Sequence, residues 1–192
     1  MTQTKVAVGM IDATSIGDAK LLQGDGAWVT PAAAGASMTI QSEVATTSGS
    51  TVTATSSLPA GVKLFYVHFD QVSGDSAQTI GIRIGDSGGI ETSGYKSAVI
   101  TDAGNSSATD QFTITSLGAT TGMQLCGTMI FSLKDSTNNT WVMTGNVGSQ
   151  DATDYVWACA GVKSLSAVIT QVQILRVGGA FDNGDVVVSY WS

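Results

Sequence analysis

The chain has 192 residues, of which 43% are hydrophobic and 12% charged, and its formal net charge is −7. Charged residues are about half as frequent as the ~25% of an ordinary soluble domain. With eight Lys and Arg against fifteen Asp and Glu, the balance argues against a partner such as nucleic acid or an anionic membrane, both of which require clustered cations. Strand-forming residues are abundant and charged helix formers scarce, which predicts an all-β protein.

Residues 1–36 predict a short extended arm that ends in a linker. Gly24-Asp25-Gly26 is typical of a turn, and Trp28 beyond it is large enough to need a surface to cover. A segment of this length cannot bury a core alone, so we expect it to be ordered by docking to a particle or to copies of itself. The residues expected to dock are Val6, Val8, Ile11, Leu21, Leu22 and Trp28.

Residues 37–192 predict an all-β head. Strands are predicted at 38–45, 50–56, 62–72, 79–85, 95–101, 124–134, 140–147, 154–162 and 167–177, a spacing typical of a sandwich or barrel. The segment 62–72 gives the strongest signal, because it carries bulky residues on both faces. Polar loops are predicted at 86–94 and 102–110. A tight turn is predicted at 181–185, centred on Asn-Gly.

The chain offers little for catalysis. His68 is the only histidine, and Asp70 two positions along the same strand face could orient it in a Ser-His-Asp arrangement. We expect instead a partly buried or interface histidine. Paired carboxylates for glycoside hydrolysis are also unsupported, because Glu43 and Glu91 are the only glutamates. We therefore expect no enzymatic activity and no cofactor.

Metal binding has weak candidates. Asp182, Asn183 and Asp185, and separately Asp151 with Asp154, offer oxygen ligands at a loop spacing that suits Ca²⁺. The same residue types form turns for purely local reasons, and this is the interpretation we favour. We expect no metal.

The two cysteines, Cys126 and Cys159, each lie in an apolar, strand-like run. We expect two buried free thiols that behave as small hydrophobic residues. A disulfide remains open, since the sequence does not say whether the two strands are neighbours. The N-terminus lacks a charged segment followed by an apolar one, and no apolar run approaches ~18 residues, so neither a signal peptide nor a transmembrane helix is expected.

Binding is the remaining route to function. Sugar sites on β proteins combine exposed aromatic rings with Asp and Asn on loops, because the ring covers the apolar face of the sugar. The candidates for such a receptor or glycan site are Tyr95, Trp141, Trp157, Asp102 and Asn105, with Trp191 as a further aromatic candidate.

Several segments resemble bacteriophage tail-fibre and related virion-fibre proteins. The joint LLQGDGAW at 21–28 resembles a short segment found ahead of the globular tip in that group. LPAGVKLFYVHFDQVS at 58–73, IGDSGGIETSGY at 84–95 and FDNGDVVVSYW at 181–191 are similar to tip domains of the same group. The resemblance implies a β-structured virion protein, often trimeric, with a jelly-roll-like antiparallel sandwich as head.

These observations lead to one expected function and three alternatives. The expected function is a non-enzymatic phage virion protein, a small homotrimeric fibre or fibre tip assembled in the host cytoplasm. Its arm would dock to other virion proteins of the tail or capsid, and its head would contact the host surface, with glycan as the expected receptor. The first alternative is a head fibre or decoration protein that stabilises the capsid. The second is a bacterial lectin-like adhesin, and the third a hydrolase that depends on Asp70.

Overall fold

The computed structural model describes residues 21–22, 28–29, 37–77, 79–116, 122–149 and 155–191. The chain divides into two compact units, Met1–Ala36 and Ser37–Ser192. In the first unit, strands β1 (Leu21–Leu22) and β2 (Trp28–Val29) pair antiparallel. The predicted Gly-Asp-Gly turn lies between them, outside the described residues.

In the second unit the described residues form strands β3 to β16. Their bounds in chain order are β3 Met38–Ile40, β4 Val44–Ala45, β5 Thr51–Thr55, β6 Leu64–Gly74, β7 Ile80–Asp86, β8 Gly89–Ile90, β9 Lys96–Thr101, β10 Gly104–Ala108, β11 Phe112–Thr113, β12 Leu125–Asp135, β13 Thr140–Ser149, β14 Tyr155–Ser164, β15 Gln171–Arg176 and β16 Phe181–Trp191.

These strands form two antiparallel sheets. The large sheet has the order β10-β9-β14-β13-β12-β6-β16-β3, with β4 also paired to β16. The small sheet has the order β11-β7-β15-β5, with β8 also paired to β7. The predicted all-β sandwich class is therefore confirmed, and the chain passes repeatedly from one sheet to the other instead of completing one sheet first.

The core lies between the two sheets and contains a cluster of aromatic rings among aliphatic side chains. Phe65 of β6 stacks on Phe131 of β12 with ring centroids 4.4 Å apart, and Trp141 of β13 meets Phe65 edge-on at 5.2 Å. Phe112 of the small sheet meets Phe131 edge-on at 5.4 Å, which joins the sheets. Contacts of this kind contribute about 0.5–1.5 kcal/mol each beyond the area that they bury.

Alternation within single strands sets which side chains enter this core. In β9, Ser97, Val99 and Thr101 are buried, whereas Lys96, Ala98 and Ile100 are exposed. Successive strand residues point to opposite faces of a sheet. A single strand therefore fixes the core face and the outer face together.

The predicted hairpin is confirmed. Strands β12 and β13 pair along their length, and the turn between them includes Asn139 at φ 46°. Asn tolerates the left-handed region better than most residues because its short amide can bond to the local backbone. Strand β14 then extends the sheet beyond β13, as the alternation at 154–162 predicts.

Two loop predictions are wrong. The segment 102–110 contains strand β10, whose polar residues pair along β9 at the edge of the large sheet. The segment 181–185 is the start of β16, with irregular register against β6, and is not a tight turn. Gly184 has φ +87°, and a Cβ there would lie 2.4 Å from the Gln71 carbonyl carbon. The Asn-Gly signal therefore marks a bulged, close approach of two strands.

Candidate functional site

The aromatic residues predicted to bind glycan lie in the core. Tyr95, Trp141 and Trp157 are each at most 1% exposed, so their rings are not available to a ligand at the surface. This corrects the prediction for all three. The Tyr95 hydroxyl donates to the Glu91 carbonyl at 2.8 Å, and burial raises the pKa of Tyr95 well above its ordinary value. The physical reason is register, which decides the face of each ring and which composition does not fix.

The two polar candidates are exposed. Asp102 lies in the turn between β9 and β10, and Asn105 lies on β10 opposite Ile100. The structure therefore brings them to one corner of the large sheet, but without the aromatic rings that were expected to accompany them. The exposed ring of Trp191, on β16, lies several strands away.

Of the docking-arm residues, Leu21, Leu22 and Trp28 lie in the β1–β2 pair, for which the structure gives backbone pairing. The predictions for Val6, Val8 and Ile11 fall outside the described residues.

The weak calcium candidates on β16 have other partners. The Asp182 carboxylate accepts from the Ser73 hydroxyl, and the Asn183 amide donates to the Gln71 carbonyl at 3.2 Å. Within the described residues, no cluster of three His, Cys, Asp or Glu side chains could hold a metal ion. The predicted pair of Asp151 and Asp154 lies outside those residues.

The cysteines are both free, and they differ in exposure. Cys159 is buried as predicted, and burial raises its pKa to about 12. Cys126 is exposed, which corrects the prediction of two buried thiols. Cys126 pairs with Gly148 on β13, whereas Cys159 pairs with Gly145 on the other flank of that strand.

His68 is held by hydroxyl groups. Its Nδ1 lies 3.1 Å from the Thr128 hydroxyl, and its Nε2 lies 2.8 Å from the Ser189 hydroxyl. A catalytic triad needs a carboxylate on one ring nitrogen, and here a second hydroxyl takes that place. Burial lowers the pKa of His68, which favours the neutral ring, and Ser189 has no exposed surface. This geometry fits a structural histidine.

The largest unusual surface is the side of the large sheet that faces away from the core, which we call the outer face. Its side chains form three rows that begin at β9, two of which reach β3 while the third ends at β16. The first row is Lys96, Val162, Val142, Ser132, Leu64, Trp191 and Met38. The second row is Ala98, Ala160, Thr144, Ile130, Tyr66, Ser189 and Ile40. The third row is Ile100, Ala158, Asn146, Thr128, His68 and Val187.

The outer face is apolar and nearly free of charge. Ile40 is 65% exposed, Ile100 57% and Met38 46%. Lys96 is the one side chain in the three rows that carries a full charge at neutral pH. An antiparallel sheet that has one face in water normally carries mostly polar residues on that face. Here twelve of the twenty side chains in the three rows are apolar, and the polar ones include Thr144, Asn146 and Thr128 on the middle strands.

Residue size divides the outer face into two halves. The small-residue half, on β9, β14 and β13, has Ala98, Ala158 and Ala160 at its centre, and two adjoining hollows of about 680 and 400 Å³ lie over it. The bulky half, on β12, β6, β16 and β3, carries large side chains. These are Ile130, Leu64, Tyr66, Trp191, Met38 and Ile40.

The small sheet has a different outer side. Arg83 on β7 forms an ion pair with Asp110 at 2.9 Å, and its neighbours across β15 and β5 are Gln173 and Thr53. This polar surface is suited to water, so the two sides of the sandwich are chemically unequal.

A network of buried charges holds the segment 86–94 against the end of β14. Lys163, 5% exposed, pairs with the Glu91 carboxylate and lies 5.4 Å above the Tyr95 ring. The second oxygen of Glu91 accepts from the Ser166 backbone at 2.8 Å. The Ser166 hydroxyl donates to Asp86 at 2.6 Å. The segment 86–94, which was expected to be a loop and in fact contains the short strand β8, is therefore held against the head by several bonds.

The outer face was missed as a candidate site, although the sequence held a signal for it. Strand β14 alternates Tyr155, Trp157 and Cys159 with Val156, Ala158 and Ala160, so neither face of that strand is polar. Continuous apolar character of this kind is typical of a strand that is covered on both sides.

Comparison with protein-family models, curated proteins and solved structures found no match to this chain. Within the described part of the chain, no helix has the length and apolar character needed to cross a membrane.

Proposed function

We propose that this chain is a non-enzymatic structural protein of a bacteriophage virion, a small homotrimeric fibre or fibre tip. Residues 1–36 dock to other proteins of the particle, and residues 37–192 form the head. The head contacts the host surface, with glycan as the receptor class.

The observation that carries the proposal is the order of the strands. The sandwich has eight strand positions, occupied by β3/β4, β5, β6, β7, β11, β12, β15 and β16. Successive positions lie in opposite sheets, except that β7 and β11 both lie in the small sheet. When the positions are numbered along the chain, the first, eighth, third and sixth lie side by side in the large sheet. The second, seventh, fourth and fifth lie side by side in the small sheet. We infer from this order a jelly roll, in which β8–β10 and β13–β14 are insertions. Jelly rolls recur in viral capsid and lectin domains.

The surroundings of His68 support the non-enzymatic part of the proposal. Both ring nitrogens bond to hydroxyls, and Ser189 has no exposed surface, so its hydroxyl is not open to a substrate. The Glu91 carboxylate is committed to Lys163 and Ser166. Neither group is poised for acid–base work on a bound sugar.

Immunogold labelling of purified particles tests the location. An antibody raised against the head is expected to label the tail end of intact phage. An absence of label on particles, together with detection of the protein on bacterial cells, would refute the virion assignment and favour the lectin-like adhesin.

A second candidate function is a capsid head fibre or decoration protein. The inferred jelly-roll order favours it, since this architecture recurs in viral capsid domains. Label distributed over the capsid would establish this function and exclude the tail location.

The receptor part of the proposal rests on the exposed corner that carries Asp102 and Asn105. An Asp102→Ala variant is expected to leave assembly intact, because Asp102 does not line the hollows of the outer face, and to reduce adsorption of particles to host cells. Unchanged adsorption would exclude this corner as the receptor contact.

A further inference from the structure

We infer that the outer face of the large sheet binds a second copy of this chain, with the bulky half of one copy packed on the small-residue half of the next. The inference deepens the proposed homotrimer and rests on it, since it names the surface through which the copies meet.

The size of the apolar surface is the first argument. Six strand spacings of about 4.8 Å and three rows about 7 Å apart give a face on the order of 600 Å², and apolar side chains make up the larger part of it. Contiguous apolar patches on soluble monomers rarely exceed a few hundred Å². Leaving Ile40 and Ile100 more than half exposed in water is costly, so this face is expected to be covered in the working protein.

Charge argues for a copy of the chain as the occupant. The chain carries a net charge of −7, so two copies repel each other over most of their surfaces. The outer face avoids that repulsion, because its three rows hold one lysine and no carboxylate. Asp70 and Asp185 lie beyond the third row, at one end of the strands. The same scarcity of cations disfavours nucleic acid and anionic lipid as occupants.

The shapes of the two halves of the outer face indicate how one copy is oriented on the next. A rotation about an axis parallel to the strands keeps each row at its own height and exchanges the two halves of the face. In the second row, Ile40 of one copy then meets Ala98 of the next, where the hollows lie. In the first row, Lys96 meets Met38 of the next copy, and Trp191 lies one strand further along, near enough to permit a cation–π contact. Closed rings of copies are built by rotations of this kind.

The test introduces single charges into the 192-residue chain and measures the mass of each variant by light scattering after size exclusion. Wild type is expected at three times the 19.6 kDa of one chain. Ala98→Asp and Ile40→Lys are each expected to reduce the mass to one chain, because each buries a charge against an apolar surface. The matched control is Thr53→Asp, an exposed strand position on the small sheet, which is expected to keep the wild-type mass.

The double variant Ala98→Asp, Ile40→Lys decides the pairing of the halves. These positions lie six strands apart in one chain, about 29 Å, so they cannot neutralise each other within it. Between copies they are adjacent, and the double variant is expected to recover the oligomer. Circular dichroism and a melting temperature within a few degrees of wild type confirm folding for every variant.

Three results would overturn the inference. An oligomer that survives both single variants would place the copy contacts elsewhere, with the trimer itself intact. A double variant that stays at the mass of one chain would refute the pairing of the two halves. A monomeric wild type would remove the interface and the proposed trimer together, whereas the virion location is tested separately by labelling.

Discussion

Replacing Glu91 with Gln isolates the charge of the buried network without removing much volume. Lys163 is 5% exposed and has the Glu91 carboxylate as its ion-pair partner. The substitution leaves the ammonium buried beside a neutral amide. Removing one partner of a fully buried pair costs about 3–5 kcal/mol. Glu91 is itself one-quarter exposed, so we expect a smaller loss of about 2–3 kcal/mol in the free energy of unfolding.

The assay is urea unfolding followed by intrinsic fluorescence, supported by thermal melts. At about 2–4 °C per kcal/mol for a chain of this size, the melting temperature is expected to fall by roughly 4–12 °C. Glu43→Gln is the matched control, because Glu43 is exposed and the chemistry of the change is identical. The control is expected to lie within about 0.5 kcal/mol of wild type.

The pH dependence of the free energy of unfolding provides a second test of the same network. Burial alone raises the pKa of Glu91, but hydrogen bonds from Lys163 and Ser166 outweigh burial and hold that pKa below its ordinary 4.5. A carboxyl whose folded pKa is depressed stabilises the fold above its unfolded pKa and loses that contribution as pH falls through the folded value. The difference between wild type and Glu91→Gln should therefore shrink between pH 7 and pH 3. A variant as stable as wild type at pH 7, or a difference that grows with acid, would refute the reasoning.

Three further predictions concern packing, thiol access and histidine ionisation. Gly145→Ala should lower the free energy of unfolding by about 1–3 kcal/mol in urea, because a Cβ there would lie 2.4 Å from the Thr128 carbonyl oxygen. Gly148→Ala, where a Cβ would have no contact closer than 3.7 Å, is the control, and equal effects of the two variants would contradict the packing. A maleimide reagent followed by peptide mapping should modify Cys126 well before Cys159, and equal rates would place Cys159 outside the core. Because burial lowers the pKa of His68, acid protonates this residue in the unfolded state first, so the free energy of unfolding should decline as pH falls from about 7 to 5. His68→Gln should reduce that decline, and parallel curves of stability against pH for the two proteins would contradict the prediction.

The class of the fold could be predicted from the sequence because its signals are local. Alternation in the segment around Phe65 and in β9, together with the turn residues between β12 and β13, marks strands independently of what they pair with. Pairing in β10 was missed, because Asn105-Ser106-Ser107 has no strand propensity of its own and gains its order from the neighbouring β9.

The faces of the strands could not be predicted in the same way. Trp141 and Trp157 were assigned to a surface site because an aromatic ring can serve a core or a ligand equally well. Register across β12, β13 and β14 buries both rings, and this depends on pairings many residues apart. The same lack of register information hid the outer face, since Ala98, Ile130 and Ile40 come to lie in one row only after the sheet has formed.

We propose that the arm docks the two-sheet head to a particle and that the copies of the head meet on their large sheets. The most direct test is a cryo-electron microscopy reconstruction of purified particles at a resolution that separates the two sheets of each head. The account predicts three heads around an axis parallel to the strands, with their large sheets turned toward one another and their small sheets in solvent. Heads that contact each other through the small sheet, or a particle without this protein, would contradict it.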